Sequence, residues 1–189
     1  MKKLDILLQH WRISKARPYI RPGSRVLDIG CADGALFRRI PGIEDGVGVD
    51  PDLPDSPPLL PNATLVKGLF PDALPDDRPF DAITMLAVLE HVPLDRQRQL
   101  AENCARYLKP NGHLIITVPS PIVDSILAVL RFFRLIHGMA LEEHYGFDPR
   151  TTPALFNVGG MELIAARSFQ LKVNNLFVFQ KQMKLAYHL

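Results

Sequence analysis

Only two cysteines, Cys31 and Cys104, occur in the 189 residues, and they form neither a CxxC pair nor a dense framework. That usage argues against a disulfide-stapled secreted domain and predicts a reduced, cytoplasmic protein. No apolar run reaches the roughly 18 to 20 residues that a membrane span needs. The opening MKKLDILLQHW is interrupted by Asp5, Gln9 and His10 where a signal peptide would carry its apolar region. A formal charge of +2, with no basic face interleaved with aromatic residues, gives no footprint for a nucleic-acid partner. Repeats and low-complexity segments are also missing, and so is the GxGxxG fingerprint of dinucleotide binding.

What remains is an ordinary globular composition. With 47% hydrophobic residues the chain can bury a real core, and its 17 prolines are scattered through the connections rather than gathered in one tract. Charge is unevenly spread. Residues 1–25 carry Lys2, Lys3, Arg12, Lys15, Arg17, Arg21 and Arg25 against Asp5, whereas the stretch from Glu44 to Asp81 is rich in aspartate. The basic arm reads as the wet side of a helix rather than as an anion-binding surface, because charge runs usually serve that end.

Leu4, Leu7, Leu8 and Trp11 recur at helical spacing, which predicts an amphipathic helix over residues 2–16, stopped by Pro18 and the Arg21-Pro22-Gly23 turn. Residues 1–22 thus form a helix and linker ahead of one domain, 23–189. In that domain, apolar strands are expected at Arg25–Ile29, Gly46–Asp50, Ala63–Val66, Phe80–Thr84 and His113–Val118. Helices follow the first and fourth. In the latter, Leu100, Cys104, Tyr107 and Leu108 share a face, and Lys109-Pro-Asn-Gly112 ends it. This alternation predicts an α/β doubly wound, mostly parallel sheet. The last third departs from it, with an apolar helical stretch at Ile122–Ile136, a short helix near Thr152–Val158, and strands near Glu162–Phe169 and Lys172–Gln180. A turn at Lys172–Asn175 would make these last strands an antiparallel pair at one sheet edge.

The chemistry is concentrated in the first two βα units. The loop D28-I-G30-C-A-D-G34 joins a strand to its helix, and glycine there lets backbone approach a ligand closely. Asp50 ends the next strand, 20 residues after Gly30, where a carboxylate can accept both hydrogen bonds of a ribose diol.

VLDIGCADG and GVGVD resemble the first two motifs of the class I S-adenosylmethionine-dependent methyltransferases. KGLF (67–70) resembles their loop after strand three, FDAITMLAVLEHV their fourth strand and its sequel, and LKPNGHLIITVPSP their turn and fifth strand, so ordered motifs run over residues 24–121. The resemblance implies a Rossmann-like sheet binding S-adenosylmethionine, with S-adenosylhomocysteine as product. It places Asp28 at the methionine end, the backbone of Gly30, Cys31, Ala32 and Gly34 along the methionyl and ribose groups, and Asp50 with Pro51 at the ribose. Gly68, Leu69 and Phe70 would flank adenine, and carbonyls near Leu86 would face the ammonium, a group with donors only. Ala32 replaces a customary glycine, and Leu69 a frequent aspartate, which leaves adenine to backbone groups and apolar contact.

Methyl transfer from a sulfonium is a direct displacement that needs alignment more than a protein nucleophile, and a base is required only for a protonated acceptor. His91 is the first candidate for that base; equally, it reads as a helix-start residue bonded to backbone. His144 and Tyr145 fall where the acceptor pocket is often built, or else lie on a solvated loop. Some quinone-pathway methyltransferases carry a metal-binding glutamate three residues before such a Glu-His pair. Here that position is Ala87, so no metal is expected. The two cysteines read as core or loop residues.

The absence of an Asn/Asp-Pro-Pro-Tyr/Phe motif points to a small-molecule acceptor. The 122–136 stretch reads as a lid within an insertion at 120–150, a homodimer face, or a peripheral membrane contact, with burial or self-association favoured. Two other functions compete: a catalytically degenerate S-adenosylmethionine-binding module that regulates a partner protein, and a nicotinamide-dependent oxidoreductase, which the missing GxGxxG disfavours.

Overall fold

The computed structural model describes residues 3–120 and 147–183. Arg25-Val-Leu-Asp-Ile29 forms β1, every residue of it buried. A strand with no wet face must be covered on both sides, and β1 is paired in parallel with both β2 (Asp45–Asp50) and β4 (Phe80–Leu86). Parallel β3 (Ala63–Lys67) and β5 (Leu108–Pro119) extend the sheet on either side, and β6 (Met161–Phe169) and β7 (Asn174–Lys181) complete it by antiparallel pairing. The order of the seven strands is β3-β2-β1-β4-β5-β7-β6. The chain reverses direction across the sheet between β1 and β4, which opens a crevice at their carboxyl ends.

Alternation along the strands feeds two cores. Leu27, Ile29, Ile83, Met85, Leu114 and Ile116 pack on one face, together with Ala101, Cys104 and Ala105 of α3 (Leu94–Tyr107). Val26, Ala82, Ile115 and Val178 pack on the other, with Ile13 and Ala16 of α1 (Lys3–Ala16) and Ala35, Leu36 and Phe37 of α2 (Ala35–Arg39). This is the expected Rossmann-like doubly wound sheet, mostly parallel with an antiparallel C-terminal pair.

Local differences from the sequence reading have identifiable causes. The α1 face that meets the core carries Ile13 and Ala16, followed by Ile20 beyond the helix, whereas Leu7 and Trp11 of the more apolar stripe are 56% and 46% exposed. Lys109–Gly112 does not lie outside the sheet. It is a kink taken up within β5, with Asn111 at φ +61° and a register shift opposite Phe80 and Ala82. Gly112 is needed there, since a Cβ would stand 2.9 Å from the carbonyl oxygens of Asp81 and Lys109.

The β6–β7 turn falls earlier than expected, on Gln170, Leu171 and Lys172, all at positive φ, while Asn174 is buried and already in β7. Packing rather than turn propensity decides this placement, because the Asn174 amide donates to the Gln170 side chain beneath the turn. The short helix α4 is confined to Thr152–Leu155. The 122–136 stretch, with His144 and Tyr145, lies outside the described residues.

Candidate functional site

The carboxyl ends of β1, β2, β3 and β4 converge on one crevice, and these strand ends with the loops leaving them carry the predicted residues that lie within the described part of the chain. Asp28 and Thr84 are register partners on β1 and β4, and both are buried. The Thr84 hydroxyl donates to Asp28 Oδ1 at 2.6 Å. Burial pushes the Asp28 carboxyl up to about 7 against the opposing effect of the Thr84 bond, with smaller upward contributions from the charges of Asp50 and Asp33.

After Ile29 the chain turns at Gly30, whose N–H donates to the Val49 carbonyl at 2.8 Å. Gly30 has φ +73°, and a Cβ on it would lie 2.4 Å from Val88 Cγ2, so both backbone geometry and space demand glycine. Cys31 is buried, and a Cβ at Gly48 would come within 2.7 Å of its Sγ; the glycine in β2 therefore makes room for the thiol. Burial, reinforced by Asp28 and Asp50, raises the Cys31 pKa and keeps the thiol protonated. Ala32 takes the left-handed conformation at φ +46°, where glycine was the customary residue. Gly34, also left-handed, opens α2, and a Cβ there would meet Leu60 at 2.8 Å.

Asp50 ties these pieces together. Its Oδ2 accepts the Ala32 N–H and its Oδ1 the Asp52 N–H, both at 2.9 Å, while its backbone carbonyl accepts the Gly68 N–H at 3.1 Å. One residue thus joins the loops after β1, β2 and β3. An ionised carboxylate has about four lone-pair sites, so two remain after these bonds, as a ribose diol would require.

Beside this carboxylate lies a cleft of about 380 Å³. Of the predicted residues it is lined by Gly30, Pro51, Gly68, Leu69, Phe70 and His91. Asp28, Cys31, Ala32, Gly34, Asp50 and Leu86 do not line it and stand in or behind the loops that frame it. Leu69 is 59% exposed and Phe70 is half-buried, its ring edge-on to Tyr107 at 5.7 Å. His91 ends a single 3-10 turn, Leu89–His91, and its N–H donates to the Val88 carbonyl at 2.9 Å, so the backbone-bonded reading describes its main chain, and the residue lines the cleft.

Several contributors were not anticipated from sequence. Val88 roofs Gly30, and Gln97, buried in α3, donates from Nε2 to the Val92 carbonyl at 3.0 Å, which fixes the turn bearing His91. Arg96, Gln99 and Asn103 form the α3 wall of the cleft. Their i, i+3, i+7 spacing was visible, but only the folded helix shows which way that stripe faces. Among the described residues no group of three or more His, Cys, Asp or Glu is placed to hold a metal ion.

Sheet order, glycine loop and strand-end carboxylate together define a class I methyltransferase. The methyltransferase domain family matches residues 7–157, and the chain belongs to it. It is similar to a ubiquinone biosynthesis O-methyltransferase of Xylella fastidiosa, 30% identical over 141 residues that make up 62% of this chain and 50% of that protein. The chain spans about half the length of the curated relatives it matches.

Among solved structures it resembles a chain of the complex between the Haloferax volcanii Trm112 methyltransferase activator and a methyltransferase. That match has a TM-score of 0.67 at 18% identity and covers 93% of this chain and 91% of the other. The N-methyltransferase NodS from Bradyrhizobium japonicum is similar at a TM-score of 0.64 and 14% identity, with coverage of 96% and 99%. These likenesses establish the fold.

Proposed function

We propose that the protein binds S-adenosylmethionine in the crevice between β1 and β4 and transfers its methyl group to a small-molecule acceptor. The observation that carries this reading is the Asp50 carboxylate, bonded to the glycine loop and adjoining a largely apolar cleft at the strand ends. The cofactor supplies an electrophilic methyl on a sulfonium. The remaining work falls to the chain: Asp50 with Pro51 holds the ribose, Leu69 and Phe70 enclose adenine, and the carbonyls near Leu86 accept from the ammonium.

Asp28 and the backbone of Gly30, Cys31, Ala32 and Gly34 shape the passage between these ends, with Gly68 allowing close approach at the adenine side. Alignment of acceptor and methyl in a water-poor crevice gives the acceleration, and no protein nucleophile is needed. The O-methyltransferase name of the curated relatives supports a hydroxyl-bearing acceptor. For such an acceptor His91 is the base, with His144 and Tyr145 as the alternative pair. No described helix is long and apolar enough to cross a membrane, and we place the activity in the cytoplasm.

Calorimetry with S-adenosylmethionine and S-adenosylhomocysteine tests cofactor use, and absence of binding by both at millimolar concentration overturns the proposal. Transfer of labelled methyl into a panel of small hydroxylated and amine acceptors separates an active enzyme from a regulatory module that only binds.

A further inference from the structure

Leu69 lines the cleft at the position where the family resemblance implies a frequent adenine-binding aspartate, and neither Asp52 nor Asp72 lines it. The side chains along that cleft able to hydrogen-bond are instead confined to one continuous segment: His91 at its head, then Arg96, Gln99 and Asn103 on α3. The opposite walls, including Val49, Pro51, Leu69, Phe70 and Pro71, are apolar.

Within this segment Gln99 and Asn103 act as a unit. Gln99 Nε2 donates to Asn103 Oδ1 at 3.2 Å across one helical turn. With that bond made, Gln99 Oε1 is left to accept and Asn103 Nδ2 to donate. Adenine presents the complement along its edge, an exocyclic amino donor beside a ring-nitrogen acceptor, which is why side-chain amides are its usual bidentate partners. Arginine has donors only and cannot receive the amino group.

We propose that the Gln99–Asn103 amide pair on α3 recognises the 6-amino edge of the adenine ring, in place of the carboxylate absent at Leu69. This rests on the reading of the cleft as the S-adenosylmethionine site. Recognition is thereby moved from the loop after β3 to the helix after β4, and a neutral pair replaces an anion.

The test compares S-adenosylhomocysteine with its analogue lacking the 6-amino group, by calorimetry on the intact protein and on a Gln99→Leu/Asn103→Leu double variant. Leucine keeps the helix propensity of both positions, and a melting curve verifies that the variant is folded. The unaltered protein is expected to bind the desamino analogue about five- to tenfold more weakly, as loss of one net hydrogen bond implies. The double variant is expected to bind S-adenosylhomocysteine more weakly by a similar factor and to make no distinction between the two ligands.

Equal affinity of the unaltered protein for both ligands overturns the inference without requiring any variant. So does a double variant that still discriminates as the unaltered protein does. If the unaltered protein binds neither ligand, the methyltransferase reading itself fails.

Discussion

The Oδ2 of Asp50 accepts the backbone N–H of Ala32 at 2.9 Å, so the carboxylate proposed to hold the ribose also holds the glycine loop. Ala32 sits at φ +46°, a conformation that disfavours a residue with a Cβ, and this charge-assisted bond offsets the cost.

Removing that carboxylate should therefore lower stability as well as affinity. Asp50→Ala is expected to lose about 2 kcal/mol of stability, in line with bonds to a charged group, and to bind S-adenosylhomocysteine at least thirtyfold more weakly, roughly 2 kcal/mol. Asp50→Asn retains one acceptor oxygen and should fall between. Denaturant titration paired with calorimetry measures both effects. An Asp50→Ala protein as stable as the parent would show that the Ala32 bond contributes nothing to the fold.

Gly30 makes a different prediction, because two penalties act at one position. Gly30→Ala incurs roughly 1 to 2 kcal/mol for placing an L-residue in the left-handed region and a further 1 to 3 kcal/mol for the clash with Val88. Pairing it with Val88→Ala relieves the second penalty but not the first. The double variant should recover part of the Gly30→Ala loss despite the truncation at Val88, a coupling that a thermodynamic cycle measures directly.

The raised pKa of Asp28 fixes the sign of a pH effect. Its ordinary value is near 3.8 and its folded value about 7, so across that interval the unfolded chain has released a proton that the folded protein retains. This contribution favours folding at the acid end and is lost as pH rises through 7. Asp28→Asn removes it, and the stability advantage of the variant should grow from pH 5 to pH 8, by a few kcal/mol at most. A pH-independent difference between the two proteins would refute the shift. A cationic ligand beside Asp28 favours its ionised form, so S-adenosylmethionine binding near pH 6.5 should release protons, detected by calorimetry in buffers of unlike ionisation enthalpy.

Lys181 supplies a test of fold alone. Its Nζ donates to the carbonyls of Ala105 and Leu108, both at 2.7 Å, where α3 gives way to β5. Lys181→Met should cost about 1 to 3 kcal/mol and leave S-adenosylhomocysteine affinity within twofold. A large loss of affinity at unchanged stability would contradict this assignment.

These residues also mark the boundary of what the sequence makes legible. Val26 to Ile29 and Leu114 to Val118 announce buried parallel strands because almost nothing in them is polar, and the Gly30–Asp50 separation points to the crevice where we propose that the cofactor binds. Direction is harder to read. The stripe Leu7–Trp11 is more apolar than Ile13–Ala16, yet the latter faces the core, since the angle at which α1 meets the sheet is set by residues distant in sequence. Asn174-Asn175 carries the composition of a turn, but burial of Asn174 draws it into β7. The α3 wall is invisible for a similar reason: Arg96, Gln99 and Asn103 look like an ordinary wet helix face until Phe70 and Pro71 are brought opposite them.

The position of β7 bears on how the chain is made. The last of the seven strands in sequence lies inside the sheet, between β5 and β6, and contributes Leu176, Val178 and Phe179 to the interior. While synthesis proceeds from the N-terminus, β6 has no neighbour to pair with and β5 presents an open edge until residues 174–181 leave the ribosome. The growing chain therefore carries an unsatisfied β5 edge from residue 119 until residue 174 is made, and the strand that joins β5 to β6 is the last of the described strands to be added.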